Sequence, residues 1–334
     1  MPKIAVAGTD QTFACEIDDT ILRAALRCGL GIAYSCNSGC CGNCRFELED
    51  GAVEHARADP PAWSERERKR NRWLACQSRP LGDCRIKVRL DPAYASTHRP
   101  VRMSGRLAGV TRLSHDISEF AFALSGPDRF RAGQYALLTP PGVDGARAYS
   151  MCNLPGESLW RFQIRNVPGG AATGILFDAL RTGDEVALDG PYGTAYLRED
   201  SDRDLLLIAG GSGLSPMISI VMAAVASKPL AARRIDFLYA CRTPRDACAE
   251  TLLRELPGYG ARLQYTVVIS EPRAGDGWNG PTGMAHEAVQ ALFGDRLKER
   301  EIYFAGPAGM GAALQKAMHE AGVARERLHF DEFY

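Results

Sequence analysis

Cys36, Cys41, Cys44 and Cys76 have the type and spacing to do chemistry. The first three follow one another as C-x4-C-x2-C in the run Tyr34 to Cys44, YSCNSGCCGNC, and Cys76 stands downstream in RWLACQ. Soft thiolates select iron–sulfur chemistry over hard-cation chemistry, and three thiolates from one short loop plus a distant fourth match the spacing that holds a [2Fe–2S] cluster. A loop that wraps such an anion must turn tightly with its N–H groups pointing inward. Gly39 and Gly42 permit those turns, and Asn37, Ser38 and Asn43 suit them. Two alternatives sit within the set. Cys40 adjoins Cys41, although Cys41 gives the regular spacing, and Cys84 competes with Cys76, which is preferred because Trp73-Leu74-Ala75 can bury it. Zinc also accepts four sulfurs, but its structural sites come as two CxxC knuckles rather than a four-residue gap followed by a two-residue gap.

Three further stretches suggest phosphate chemistry. Arg147-Ala148-Tyr149-Ser150 and the turn Gly169 to Gly174 combine an arginine with a Gly-rich helix opening, a pair suited to a diphosphate. Gly210-Gly211-Ser212-Gly213-Leu214-Ser215-Pro216 follows the apolar run Leu205 to Ala209 and opens a helix, the strand–turn–helix order of a dinucleotide site. It is not the G-x-G-x-x-G fingerprint, and Tyr239-Ala240-Cys241-Arg242 stands where an acidic residue would end the second strand. A second turn, Gly306-Pro307-Ala308-Gly309-Met310, repeats the order, and the two turns are expected to meet at the carboxyl ends of a parallel sheet.

The elements that must position these residues divide the chain in three. Residues 1–92 read as a small strand-and-helix domain: strands at Ile4 to Val6 and Thr12 to Cys15, a helix from Ile21 to Gly29 capped by Asp18-Asp19-Thr20, a strand through Phe46 and Leu48, a charged helix at Ser64 to Arg72, and a last strand through Ile86, Val88 and Leu90. The basic run Arg66 to Arg72 either steers an acidic partner or is a solvated face. Residues 91–100, with two prolines and no periodicity, read as a linker. Residues 100–199 show short alternating runs at Val101, Ile117, Tyr135, Leu159 and Glu185 with heavy Gly and Pro punctuation, which fits an antiparallel barrel, and Gly174 to Leu180 reads as helical. Residues 203–334 alternate strands (Leu205 to Ala209, Arg234 to Ala240, Leu263 to Ile269, Glu301 to Ala305) with helices (through Val225, Ala247 to Leu256, Ala285 to Phe293, Gly309 to Glu320), the rhythm of an open α/β sheet.

Bulk properties bound the function. A chain of 334 residues allows two or three cores, and a formal charge of zero gives no electrostatic reason for a nucleic-acid or membrane partner. The start MPKIAVAGTD lacks a basic segment followed by an apolar signal core, so a cytoplasmic protein is expected. Eleven cysteines, an odd number, point to metal binding plus spare thiols rather than a disulfide framework.

Taken in order, these motifs resemble, over essentially the whole chain, the reductase component of bacterial multicomponent oxygenases. The resemblance looks closest to the reductases of toluene and related aromatic or alkene diiron monooxygenases. It implies an N-terminal plant-type ferredoxin domain of β-grasp fold, a middle FAD-binding β-barrel and a C-terminal NAD(P)H-binding α/β domain. Residue by residue, it implies cluster ligands at Cys36, Cys41, Cys44 and Cys76. Arg147 would stand at the FAD diphosphate, Tyr149 against the isoalloxazine, Ser150 near its reactive nitrogen, and Gly170 and Thr173 at a second diphosphate contact. Gly210, Gly211, Gly213 and Pro216 would form the nicotinamide-nucleotide loop, Gly306 and Pro307 the segment beside the nicotinamide, and Tyr334 a terminal aromatic near the flavin. Cys40 and Ala305 depart from the family's usual residues. The implied activity passes electrons from NADH to FAD to the cluster and on to a diiron hydroxylase or a Rieske ferredoxin. The alternatives are the reductase of a Rieske-type ring-hydroxylating dioxygenase and a non-catalytic iron–sulfur sensor.

Overall fold

A computed structural model describes residues 1–334. The chain divides into two compact units, one of Met1–Ser104 with Ala136–Ala148 and Ala187–Thr194, the other of Gly105–Tyr135, Tyr149–Val186 and Ala195–Tyr334.

The first unit carries a five-stranded mixed sheet in the order Thr12–Ala14, Lys3–Val6, Cys84–Lys87, Arg45–Asp50, Arg72–Leu74. Lys3–Val6 runs antiparallel to Thr12–Ala14 and parallel to Cys84–Lys87. Period-two alternation sends Ile4, Val6, Phe46, Leu48 and Ile86 inward, where helix Ile21–Arg27 contributes Ile21, Leu22, Ala25 and Leu26. A mixed sheet with a helix set into it is the β-grasp arrangement expected. Three local expectations need correction. The charged helix spans only Glu65–Lys69, because Asn71 turns to φ 49° and its amide donates to Leu48 O at 2.6 Å, so that Arg72 already begins a strand. The last strand ends at Lys87, with Leu90 retained as an isolated bridge to Ile32. Thr20 occupies the N-cap of the first helix without a side-chain cap bond; the Asp19 carboxylate takes the Thr20 N–H instead.

A six-stranded sheet follows, ordered Arg147–Ser150, Tyr135–Thr139, Glu185–Tyr192, Val101–Arg112, Ile117–Leu124, Leu159–Arg165. An antiparallel bridge between Met151 and Phe162 joins its two ends, making a near-barrel around Phe120, Phe122, Trp160 and Phe162. The helical stretch expected over Gly174 to Leu180 is a short α-helix, Ala171–Gly174, continued by a π turn, Ile175–Ala179.

The C-terminal sheet is wholly parallel in the order Leu263–Ile269, Ile235–Cys241, Leu205–Gly210, Glu301–Pro307, Leu328–Phe333. Its central strand shows why the run Leu205 to Ala209 is apolar without alternation. Leu205, Leu207 and Ala209 enter one core with helix Leu214–Ala226, while Leu206 and Ile208 enter another with helices Ala285–Phe293 and Ala308–Glu320. The helix expected at Ala247 to Leu256 is confined to Glu250–Arg254.

In the first unit, His55 packs against both Trp63 and Trp73 at ring-centroid distances of 4.2 and 4.8 Å, the two indoles lying 4.9 Å apart. Burial, with the Arg68 charge adding to it, pulls its imidazole from the ordinary 6.5 down to about 4. The unfolded chain therefore takes the proton first, and stability is lost as pH falls from about 6.5 to about 4. Denaturant midpoints measured across that window are expected to fall for the native chain and to fall less for His55→Gln.

Candidate functional site

The cysteine loop is shaped by its own backbone. Asn37 at φ 51°, Gly39 at φ 82° and Gly42 at φ 73° reverse the chain between the thiols. Gly39 is required twice over, since a β-carbon there would also lie 2.9 Å from Pro60 and 3.0 Å from Gln77, the residue after Cys76. Ser38 N and Cys41 N point at the Cys36 sulfur at 3.5 and 3.3 Å, and the Cys36 side chain is hydrogen-bonded to that of Cys41. Cys76 is bonded in the same way to Cys44, and Gln77 Nε2 lies 3.9 Å from the Cys76 sulfur. The Cys41 contact holds the Cys36 thiol down to about 5 and pushes Cys41 up, while the Cys44 bond and burial push Cys76 well up. The four thiols thus fall into two hydrogen-bonded pairs, with N–H donors on the Cys36 sulfur. A buried donor, Asn37 Nδ2, has no protein partner. Thiolate ligands surrounded by donors fit an anionic iron–sulfur cluster. The two competing thiols turn elsewhere: Cys40 donates to Ser38 O, and Cys84 to Ala52 O and Gly82 O.

On strand Arg147–Ser150, Arg147 is exposed, with Nη1 donating to the carbonyls of Asp144, Gly145 and Ala146 at 3.1–3.3 Å. Tyr149 is half-buried and Ser150 buried. In the Gly-rich turn, Thr173 Oγ1 donates to Val167 O and Gly170 O and accepts from Val167 N, fixing the helix opening that Gly170 precedes. Ser215, in the first turn of helix Leu214–Ala226, donates to the Ser150 carbonyl at 2.6 Å and accepts from Gln163 N. One helix turn on, Ser219 donates to Asn153 O at 2.7 Å.

The two Gly turns of the parallel sheet do meet. A β-carbon on Gly213 would lie 1.9 Å from Ala305 O, so no side chain fits, and both Gly210 and Gly306 pack under the Met310 side chain. Beside them opens a cavity of about 240 Å³, lined in part by Gly210, Gly211, Pro307 and Met310, with Arg165, Arg242 and Asp246 as its charged wall. Pro216 is buried in the first turn of its helix and so shapes the loop from behind. Tyr334 is 61% exposed and its hydroxyl donates to Glu332, which also accepts from Gln315.

Met310, from the second glycine turn, lines the cavity together with Asp246, and Arg165 and Ser270 join them without a local motif that marks them. Asp246 was legible: Thr243-Pro244-Arg245-Asp246 has capping-box spacing, and the buried Asp246 carboxylate accepts from Thr243 N and Thr243 Oγ1, both at 2.8 Å. Arg165 is held by Asp116 at 2.7 Å, a pairing that no local pattern announces.

Three family models match in succession: a 2Fe-2S iron–sulfur cluster binding domain over residues 4–81, an oxidoreductase FAD-binding domain over 104–196 and an oxidoreductase NAD-binding domain over 207–316. The ferredoxin–NAD(P)+ reductase CarAd of Metapseudomonas resinovorans is 37% identical over 325 residues, covering 96% of each chain. The chain belongs to the ferredoxin–NAD(P)+ reductase components of bacterial oxygenase systems. The ferredoxin–NAD(+) reductase component of the Xanthobacter autotrophicus alkene monooxygenase system is 35% identical over 336 residues, covering 97% of this reductase and 98% of the relative. Among solved structures, the ferredoxin reductase in carbazole 1,9a-dioxygenase superposes with a TM-score of 0.91 at 33% identity, over 100% of this chain and 98% of that one. The reductase therefore combines [2Fe–2S]-, FAD- and NAD-binding domains in one electron-transferring enzyme. No helix is long and apolar enough to cross a membrane.

Two outcomes follow for the purified reductase. Gly213→Ala must displace backbone, with a stability loss on the order of 3 kcal/mol, read by thermal unfolding together with weakened nucleotide binding. Cys40→Ser is expected to keep full iron and acid-labile sulfide, whereas Cys41→Ser loses most of both.

Proposed function

We propose that this reductase oxidises NADH and delivers single electrons to an oxygenase component, with FAD converting a hydride pair into one-electron steps and the [2Fe–2S] centre passing them out. In this reading Cys36, Cys41, Cys44 and Cys76 hold the cluster. Arg147 and the Gly170–Thr173 turn hold the FAD diphosphate, Tyr149 lies against the ring system and Ser150 beside it, and Tyr334 covers it. Gly210, Gly211, Gly213 and Pro216 form the nucleotide loop, with Gly306 and Pro307 alongside. The domains are taken as 1–92, 100–199 and 203–334.

The observation that carries the reading is the Ser215 hydroxyl bonded to the Ser150 carbonyl at 2.6 Å, because it ties the helix that opens the nucleotide cavity to the flavin-side strand. Hydride transfer needs reacting atoms about 3–3.5 Å apart and no side-chain acid or base. The chain's task is accordingly close approach, for which Gly211, Gly213 and Gly306 are suited, and orientation by Ser150. Loss of the Ser150 side chain should slow flavin reduction moderately rather than abolish it.

For the nucleotide, a buried Asp246 carboxylate on the cavity wall disfavours a 2′-phosphate, although Arg242 is close by. NADH is the proposed donor. For the acceptor, the superposition on the ferredoxin reductase in carbazole 1,9a-dioxygenase favours a dioxygenase system over the diiron monooxygenase that the resemblance implies. An anaerobic titration with NADH, followed by addition of separate dioxygenase and diiron hydroxylase components, tests both points. The expected result is bleaching of flavin and iron–sulfur absorption, faster with NADH than NADPH, and reoxidation by the dioxygenase-side component. A clear NADPH preference removes the nucleotide assignment, and exclusive reoxidation by a diiron hydroxylase removes the acceptor assignment.

A further inference from the structure

Asn37 directly follows the first cluster cysteine, is 2% exposed, and is held in the left-handed region at φ 51°. Arg23, from the helix Ile21–Arg27, donates through Nε to its Oδ1 at 3.3 Å. A guanidinium only donates, so the side-chain atom facing it must be the amide oxygen, and the orientation of the carboxamide is settled without appeal to anything else. The amide nitrogen, turned away from Arg23, is buried with no protein acceptor. Leaving such a donor unpaired costs about 1–3 kcal/mol, and the sulfurs of a bound cluster are acceptors for it. Arg23 itself is half-buried and makes no ion pair: Asp189, the acid whose charge it feels, is engaged by Arg27 at 2.8 Å.

We propose that Arg23 and Asn37 form a polarised donor pair that raises the reduction potential of the [2Fe–2S] centre, the Asn37 amide donating to cluster sulfur and Arg23 both orienting that amide and adding a net charge. The inference rests on the cluster reading above and deepens it. Reduction adds one electron from the flavin to the cluster, so the anion gains a unit of negative charge. A nearby cation and an N–H dipole stabilise the reduced form more than the oxidised one. The loop's backbone donors do the same, and this pair adds a full charge through a side chain that can be exchanged without altering the turn. Arg23 is a positioning residue here, since it acts largely through Asn37.

The test is an EPR-monitored potentiometric titration of the anaerobically purified holoprotein and its variants. Arg23→Gln removes the charge, Arg23→Lys keeps it, and Asn37→Gly removes the amide while tolerating the positive φ. The expected result is that Arg23→Gln and Asn37→Gly each lower the reduced-to-oxidised ratio at fixed potential about tenfold, equivalent to about 59 mV for one electron. Arg23→Lys should stay within about threefold of the native ratio, and the rate of flavin reduction by NADH should be unchanged in all three. Native potentials in both Arg23→Gln and Asn37→Gly, with full iron and sulfide, overturn the proposal. Should Arg23→Gln fail to retain its iron, Asn37→Gly decides alone, its native or lowered ratio refuting or supporting the pair. Absence of iron and sulfide from the native holoprotein would instead remove the cluster reading, a result distinct from an unmoved potential.

Discussion

Negative charge collected in a confined place is the constraint on which the N-terminal half depends. Thiolates gathered within one loop repel one another and lose water as they are buried, so the chain around them must supply donors in compensation. The loop answers with left-handed turns at Asn37, Gly39 and Gly42 that aim N–H groups at the Cys36 sulfur. It is then closed from below, as Gln77 and Pro60 fill the space that any side chain on Gly39 would need. The remainder of the sheet serves to deliver Cys76, carried at the end of the Arg72–Leu74 strand, to that loop.

The C-terminal half solves a different problem, that of bringing backbone close to a bound nucleotide. Parallel strands end together, and the two turns at their carboxyl ends nest because Gly213 accepts the Ala305 carbonyl where a side chain would stand. The cavity beside them combines charged residues (Arg165, Arg242, Asp246) with glycine and methionine, a mix suited to a ligand with both phosphate and ring portions.

What could be read from the sequence followed periodicity. Ile117–Leu124, Leu263–Ile269 and Ala285–Phe293 occupy the residues their apolar patterns announced. The elements that went unread lack such a pattern. Leu328–Phe333 is an edge strand whose His329 is bonded to Glu301 at 2.5 Å and whose Asp331 is buried, so charge disguises a strand that tertiary contact stabilises. The helix after Ser64 was read but is shorter than its charged run, because only Glu67 is buried and Asn71 stops it early. Motif spacing indicated the cysteines, the glycine turns and the Thr243–Asp246 cap; it could not indicate Arg165 or the Arg23–Asn37 contact, which join residues through space rather than through a sequence pattern.

Ser215 and Ser219, one helical turn apart, both give their hydroxyl hydrogens to main-chain oxygens just at and beyond the Arg147–Ser150 strand. Backbone oxygens stay put when side chains nearby are exchanged. Drift elsewhere in the sequence can thus rework the walls of the nucleotide cavity, and with them the choice of donor, while the spacing between helix and strand is inherited unchanged.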